Sequence, residues 1–222
     1  MKTLSFALMA LIMTASASAQ TPPLEPASET IGFYNQRKWT RLSLGTFENA
    51  LLAEIASARM LGRSVELGAF VRGTRFDVDP EEFWYNIQVQ GQMNLFLLQP
   101  RGVSPLGVYG GGFVGWSKYF LGSFVTEDIN TLHYGAEVGG YLHLGGGDVL
   151  FIPRAALQFG RISYLGSDTP PAHVLRAGVA EEGTFTALLL GIDASFGGLV
   201  PGLLLTIRDG QQSATFRLTF TR

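Results

Sequence analysis

The sequence predicts an all-β chain: an antiparallel up-and-down transmembrane β-barrel of about eight strands, with one short N-terminal amphipathic helix. Three observations carry this reading. Only 15% of the 222 residues are charged, against about 25% in an ordinary soluble domain. No apolar run beyond the first 19 residues approaches the ~18 residues of a membrane-spanning helix, which leaves the closed barrel as the spanning structure that satisfies every backbone group. From Ser64 onward hydrophobicity alternates with a period of two, and the polar face is rich in uncharged amides. A water-facing soluble sheet would carry Lys and Glu there.

The first 19 residues have the parts of a secretory signal peptide: Lys2, the apolar run LSFALMALIM, and the small-residue site Ala17-Ser18-Ala19. Cleavage near Ala19 and the barrel pattern together place the mature chain in a bacterial cell outer membrane. The chain has no cysteine, which excludes a disulfide framework, thiolate chemistry and a lipid-modified cysteine. A formal net charge of −2 argues against a nucleic-acid partner, which would need a basic face.

Residues 20–38, QTPPLEPASETIGFYNQRK, read as an extended periplasmic tether. Residues 39–63 read as a short strand, WTRLSLGTF, followed by the helix. In FENALLAEIASARMLG the residues Phe47, Leu51, Ile55 and Ala58 make one helical stripe, and Gly62 is a C-cap candidate. Such a helix would pack against the barrel, lie at the membrane interface or enter the mouth as a plug. If 39–47 joined the barrel, the strand count would change.

The barrel occupies 64–222. VELGAFVRGTRF (65–76) sets Val65, Leu67 and Val71 against Glu66, Phe70 and Arg72. WYNIQVQGQMNLFLL (84–98) sets Tyr85, Ile87, Val89, Met93 and Leu95 against Asn86, Gln88, Gln90, Gln92 and Asn94, with Phe96 as the exception. LGVYGGGFVGW (106–116) puts Val108, Val114 and Trp116 on one face. TLHYGAEVGGYLHL (131–144) sets Tyr134 and Val138 against His133, Glu137 and Tyr141. LFIPRAALQFGRISY (150–164) sets Phe151, Leu157 and Phe159 against Arg154 and Gln158. FTALLLGIDASF (185–196) sets Leu190 and Ile192 against Asp193 and Ser195. The last two strands form a hairpin around Asp209-Gly210, a strong turn signal, with Leu203, Phe216 and Leu218 opposing Thr206, Arg208 and Arg217. Connections at 117–130 and 165–183 are long, and those at 98–105, 145–149 and 197–202 are shorter. Long loops on one side and short turns on the other is the arrangement of outer-membrane barrels.

Gly110, Gly112 and Gly115 spell G-x-G-x-x-G. A dinucleotide loop needs a buried strand before it and a helix after it. Here Pro100 and Pro105 precede it and a glycine-broken aromatic run follows. The stretch reads as a membrane strand in which missing side chains relieve crowding.

On YGGGFVGW, YGAEVGGYLHL and the terminal TFRLTF, residues 64–222 resemble the small eight-stranded outer-membrane barrels of diderm bacteria, the OmpA/OmpX-like group in the broad sense. The resemblance implies a structural anchor, an adhesin, a small-solute channel or, as in a few members, a lipid-modifying enzyme. That group usually ends its last strand in an aromatic used for assembly; here Phe220 is followed by Thr221-Arg222.

Parity directs seven charges inward: Glu66, Arg72, Glu137, Arg154, Asp193, Arg208 and Arg217. An eight-stranded interior is only wide enough for side chains, so these are expected to pair into a closing network. Trp84, Tyr85, Trp116, Tyr119, Phe120 and Tyr164 are expected to form an aromatic girdle on the loop side. His133 and His143 stand ten residues apart, about 33 Å along one strand, and cannot share a metal; His173 lies beside Pro170-Pro171. His133 with Ser123, Glu127 or Asp128 is the one candidate hydrolytic group, and its spacing fits no hydrolase pattern. No catalytic, cofactor-binding or metal residue is therefore expected. The expected role is structural or interactive, through outer-membrane lipid and an envelope partner at 117–130 and 165–183. The alternatives are a narrow channel for water, ions or small solutes, and a soluble periplasmic barrel that binds an apolar ligand with its faces reversed.

Overall fold

The structure, a computed structural model, describes residues 38–47, 50–79, 82–100, 104–121, 129–146, 149–166, 182–208 and 211–222. The expected signal peptide, nearly all of the expected tether and His173 lie outside the described residues. Eleven strands form one antiparallel sheet: β1 (Lys38–Phe47), β2 (Ala50–Leu61), β3 (Val65–Asp79), β4 (Glu82–Leu98), β5 (Leu106–Phe120), β6 (Ile129–Leu142), β7 (Leu144–Gly146), β8 (Val149–Tyr164), β9 (Gly183–Phe196), β10 (Leu199–Arg208) and β11 (Gln211–Thr221). The three-residue β7 continues β6 past His143 and pairs with the start of β8. Pairing of β6 with β8 and of β1 with β11 closes the sheet into a barrel of ten staves. Closure abolishes free edges.

The first and last strands meet at one end of the barrel, the terminal end, where Trp39 stands opposite Thr221 and the backbones of Lys38 and Arg222 exchange hydrogen bonds of 3.1 and 2.8 Å. The two long connections, 121–128 and 165–182, leave from the opposite end. A ladder row begun at Trp39 passes through Ala58, Gly68, Gln92, Phe113, Gly135 and Gly160 to Phe185. It climbs from the terminal end to the loop end, so the strands are tilted, as closure requires.

Two expectations are corrected. The barrel has ten staves rather than about eight, and no helix is found among the described residues. Both changes come from 38–61. ALLAEIASARML is composed of good helix formers, and Leu51 and Ile55, four apart, share a face in a helix and in a strand alike. The ladder decides between them. β2 is paired along its whole length, with β1 on one side and β3 on the other, so every backbone group is satisfied between strands and propensity is overridden. Burial alternates accordingly: Ala50, Leu52, Glu54, Ala56 and Ala58 face in, while Leu51 and Ile55 face out. Gly62 has a φ of 73° and makes the turn into β3 rather than capping a helix.

The stretch holding G-x-G-x-x-G is β5, and its glycines divide by face. A Cβ on Gly107 would strike the Tyr141 ring, one on Gly111 the Asn94 amide, and one on Gly115 the His133 imidazole. These three inward glycines make room for long side chains laid across from β4 and β6. Gly110 faces out, and its nearest obstacle is a backbone oxygen at 3.6 Å. Gly111→Ala and Gly115→Ala should therefore each cost about 1–3 kcal/mol by overpacking. Gly110→Ala should stay within about 0.5 kcal/mol of wild type. Urea unfolding of the barrel in lipid vesicles reads the difference.

Candidate functional site: the barrel interior

Alternation sorts the side chains into two surfaces. Outside, every stave presents large apolar groups, among them Leu42, Leu44, Ile55, Val71, Val89, Met93, Val114, Val138, Phe159, Ile192, Leu203 and Phe216. Ordinary soluble proteins rarely expose apolar patches beyond a few hundred Å², whereas this belt encircles the molecule. A soluble barrel with its faces reversed is thereby overturned, because that reading put the polar groups outside.

Inside, two apolar clusters pack among the charged groups. At the terminal end Trp39, Phe70, Phe96, Tyr109, Tyr141 and Ile152 pack together. At the loop end Phe76, Trp84, Phe113, Tyr119, Ile162 and Phe185 do the same. Trp84 and Tyr119 therefore point into the barrel and do not belong to an outward girdle. Tyr85 and Trp116 face outward, and Phe120 and Tyr164 are half-buried.

All seven charges assigned inward by parity lie in the interior, with Glu66, at 0% exposed, the deepest. Two more join them: Arg41, 1% exposed, and Glu54. The alternation of Arg41 and Ser43 with Leu42 and Leu44 carried the signal for Arg41. Glu54 was masked by the helical reading of β2.

Each interior carboxylate is held by at least two groups. Glu54 accepts from Arg41 Nη2 at 2.7 Å through one oxygen and from Arg72 Nη2 at 2.8 Å through the other. The Ser43 hydroxyl accepts from Arg41 Nε at 3.1 Å and donates to Glu54 at 3.2 Å. Asp193 accepts from Arg217 Nη2 at 3.1 Å, and Arg154 Nη2 lies 3.7 Å from its second oxygen. Glu66 accepts from the Trp39 indole at 3.2 Å and from the Asn94 amide at 3.3 Å. Glu137 accepts from the Tyr109 hydroxyl at 2.6 Å and from the Gln158 amide at 2.7 Å. Arg208 stacks its guanidinium 4.2 Å from the centroid of Phe185, a favourable cation–π contact.

His133 is buried, its Nε2 3.0 Å from both the Gln88 amide nitrogen and the Gln90 amide oxygen. One neutral tautomer donates to Gln90 and the other accepts from Gln88. Ser123, Glu127 and Asp128, the hydrolytic partners considered for it, lie outside the described residues. Among the described residues no group of three or more His, Cys, Asp and Glu could hold a metal ion.

A closed antiparallel barrel with an apolar wall and a charge-paired, side-chain-filled interior has the architecture of an outer-membrane β-barrel. No protein-family model matches the chain, and no curated protein does. Among solved structures it is similar to LpxR from Salmonella typhimurium, at 9% identity over 83% of this chain and 100% of that one, with a TM-score of 0.47. It is also similar to the beta domain of the Bordetella autotransporter BrkA, at 16% identity over 84% of this chain and 99% of that one, TM-score 0.45. The translocator domain of the autotransporter NalP from Neisseria meningitidis is a third, at 10% identity over 89% and 90%, TM-score 0.41.

Removing one partner of a buried ion pair is far costlier than removing an exposed charge. Glu54→Ala leaves Arg41 and Arg72 without their shared carboxylate and should cost about 3–5 kcal/mol, as should Asp193→Ala for Arg154 and Arg217. Glu182→Ala, on an exposed connection, should change stability by no more than about 0.5 kcal/mol. The same unfolding measurement in vesicles compares all three.

Proposed function

We propose that this chain is an outer-membrane β-barrel protein of a bacterial envelope, with a structural or loop-mediated interaction role and a lumen closed to ions. The observation that supports the closed lumen is its filling. Glu54 and Asp193 each bridge two buried arginines, and apolar clusters pack the space toward both ends. An ion crossing this interior would have to break matched pairs whose separation costs several kcal/mol. The interactive role belongs to the connections at 121–128 and 165–182, at the end of the barrel opposite Lys38 and Arg222. There an envelope partner would bind.

A path for water without ions is the second reading, and one group of atoms favours it. The side-chain oxygens of Asn86, Gln88 and Ser117 are buried without a hydrogen-bond partner, and Gln88 stands opposite Ser117 on the neighbouring strand. Buried polar atoms of this kind are commonly satisfied by ordered water.

Expression of the full chain followed by fractionation should recover it with outer membranes. The purified barrel in planar bilayers should leave the current near baseline. Recovery in the soluble periplasm would overturn the membrane assignment, and steady ion-selective conductance would overturn the closed lumen. Osmotic swelling of vesicles without ionic current would select the water path.

A further inference from the structure

Near the loop end, the apolar belt on the outer wall is indented. Ala53 of β2 stands opposite Gly73 of β3, and a Cβ added at Gly73 would meet nothing within 4 Å. Larger neighbours rise on either side of this pair in the same ladder row: Leu44 and Phe216 on one, Ile87 on the other. The result is a groove of about 1090 Å³ with a lining that is almost wholly apolar.

One outward row nearer the loop end, about 7 Å along the strands, the chemistry changes. Arg75 is exposed and stands between Leu51 and Tyr85. Phe120 stands opposite Tyr85 in this row, and the Lys118 ammonium lies 5.1 Å from its ring centroid, reaching over from the row of Ala53, Gly73 and Ile87, where Lys118 stands opposite Ile87. Arg75 and Tyr85 therefore line the loop-side part of an apolar groove, with the Lys118 ammonium beside Phe120 at its edge.

We propose that this groove binds one anionic lipid, its acyl chain lying over Ala53 and Gly73 and its phosphate held by Arg75 and Lys118. The inference rests on the membrane-integrated reading of the barrel. Charge complementarity favours a lipid over a second copy of the chain. A two-fold contact brings the same patch together from both sides, and would set these cations against their own copies. Arg75 and Lys118 provide the donors that a phosphate accepts from, and an indentation floored by small residues takes a flexible chain without displacing protein side chains.

Native mass spectrometry of the full chain purified in detergent tests this, with dipalmitoyl phosphatidylglycerol and dipalmitoyl phosphatidylcholine as probes. Wild type should retain one phosphatidylglycerol and should prefer it to phosphatidylcholine. Gly73→Leu fills open space on the lipid face, so the barrel should still form, and retention of both lipids should fall about tenfold. Arg75→Gln combined with Lys118→Gln should abolish the preference for phosphatidylglycerol while leaving residual binding of both. The end of β3, the turn after it and the start of β4 carry Asp77, Asp79, Glu81 and Glu82, so the titration is repeated in EDTA, where retention should not change. Loss of retention in EDTA would assign the headgroup to a bridging metal and overturn the roles of Arg75 and Lys118. Equal retention by wild type and Gly73→Leu, or a wild-type dimer that Gly73→Leu dissociates, would overturn the groove as a lipid site. Recovery of the chain as a detergent-free soluble protein would instead defeat the membrane reading beneath it.

Discussion

The pairing of β1 with β11 sets the width of this barrel, and the rest of the structure answers to that width. With Trp39 opposite Thr221 and the ladder unbroken around the ring, ten staves enclose a space wider than eight would, and side chains must fill it. Long groups reach inward and lie across neighbouring glycines: Tyr141 over Gly107, Asn94 over Gly111, Arg154 over Gly191 and Asp193 over Gly202. Each such pair puts a bulky residue on one strand and none on the next. A filled interior built this way resists overpacking and leaves little slack.

Width alone would be satisfied by apolar groups, as at the two ends. Among and between those groups the filling is ionic, and buried ions are tolerated only when matched. The four interior acids also act as ties between staves. Glu54 on β2 holds β1 and β3, Glu66 on β3 holds β1 and β4, Glu137 on β6 holds β5 and β8, and Asp193 on β9 holds β8 and β11. On β10, Arg208 stacks on Phe185 of β9. The side-chain ion pairs and hydrogen bonds between staves thus lie on the inner face, while the outer wall is largely apolar.

The outer wall is simple by comparison, which sets off the indentation at Ala53 and Gly73. Outward side chains need only be apolar, yet Ala53 and Gly73 are small, with Arg75 one outward row nearer the loop end and Lys118 farther along their own row. Neither packing inside the barrel nor closure of the ladder requires that combination. It is a property of the outer surface alone.

What the sequence determined by itself was the alternation. From 64 onward, parity assigned nearly every inward and outward residue, including the seven interior charges, and it identified β5 as a strand despite its nucleotide-like spacing. Period two is a local property, fixed by backbone geometry that each strand carries within itself. What only the tertiary structure decided was everything that depends on a neighbour. Residues 50–61 favour a helix when read alone and become β2 because β1 and β3 satisfy their backbone from both sides. Trp84 and Tyr119 looked like a girdle because aromatic content does not report the direction of a side chain. The pairing of Glu54 with Arg41 and Arg72 was invisible for the same reason: which charges meet is set by register and tilt around a closed ring, and no single segment contains that information.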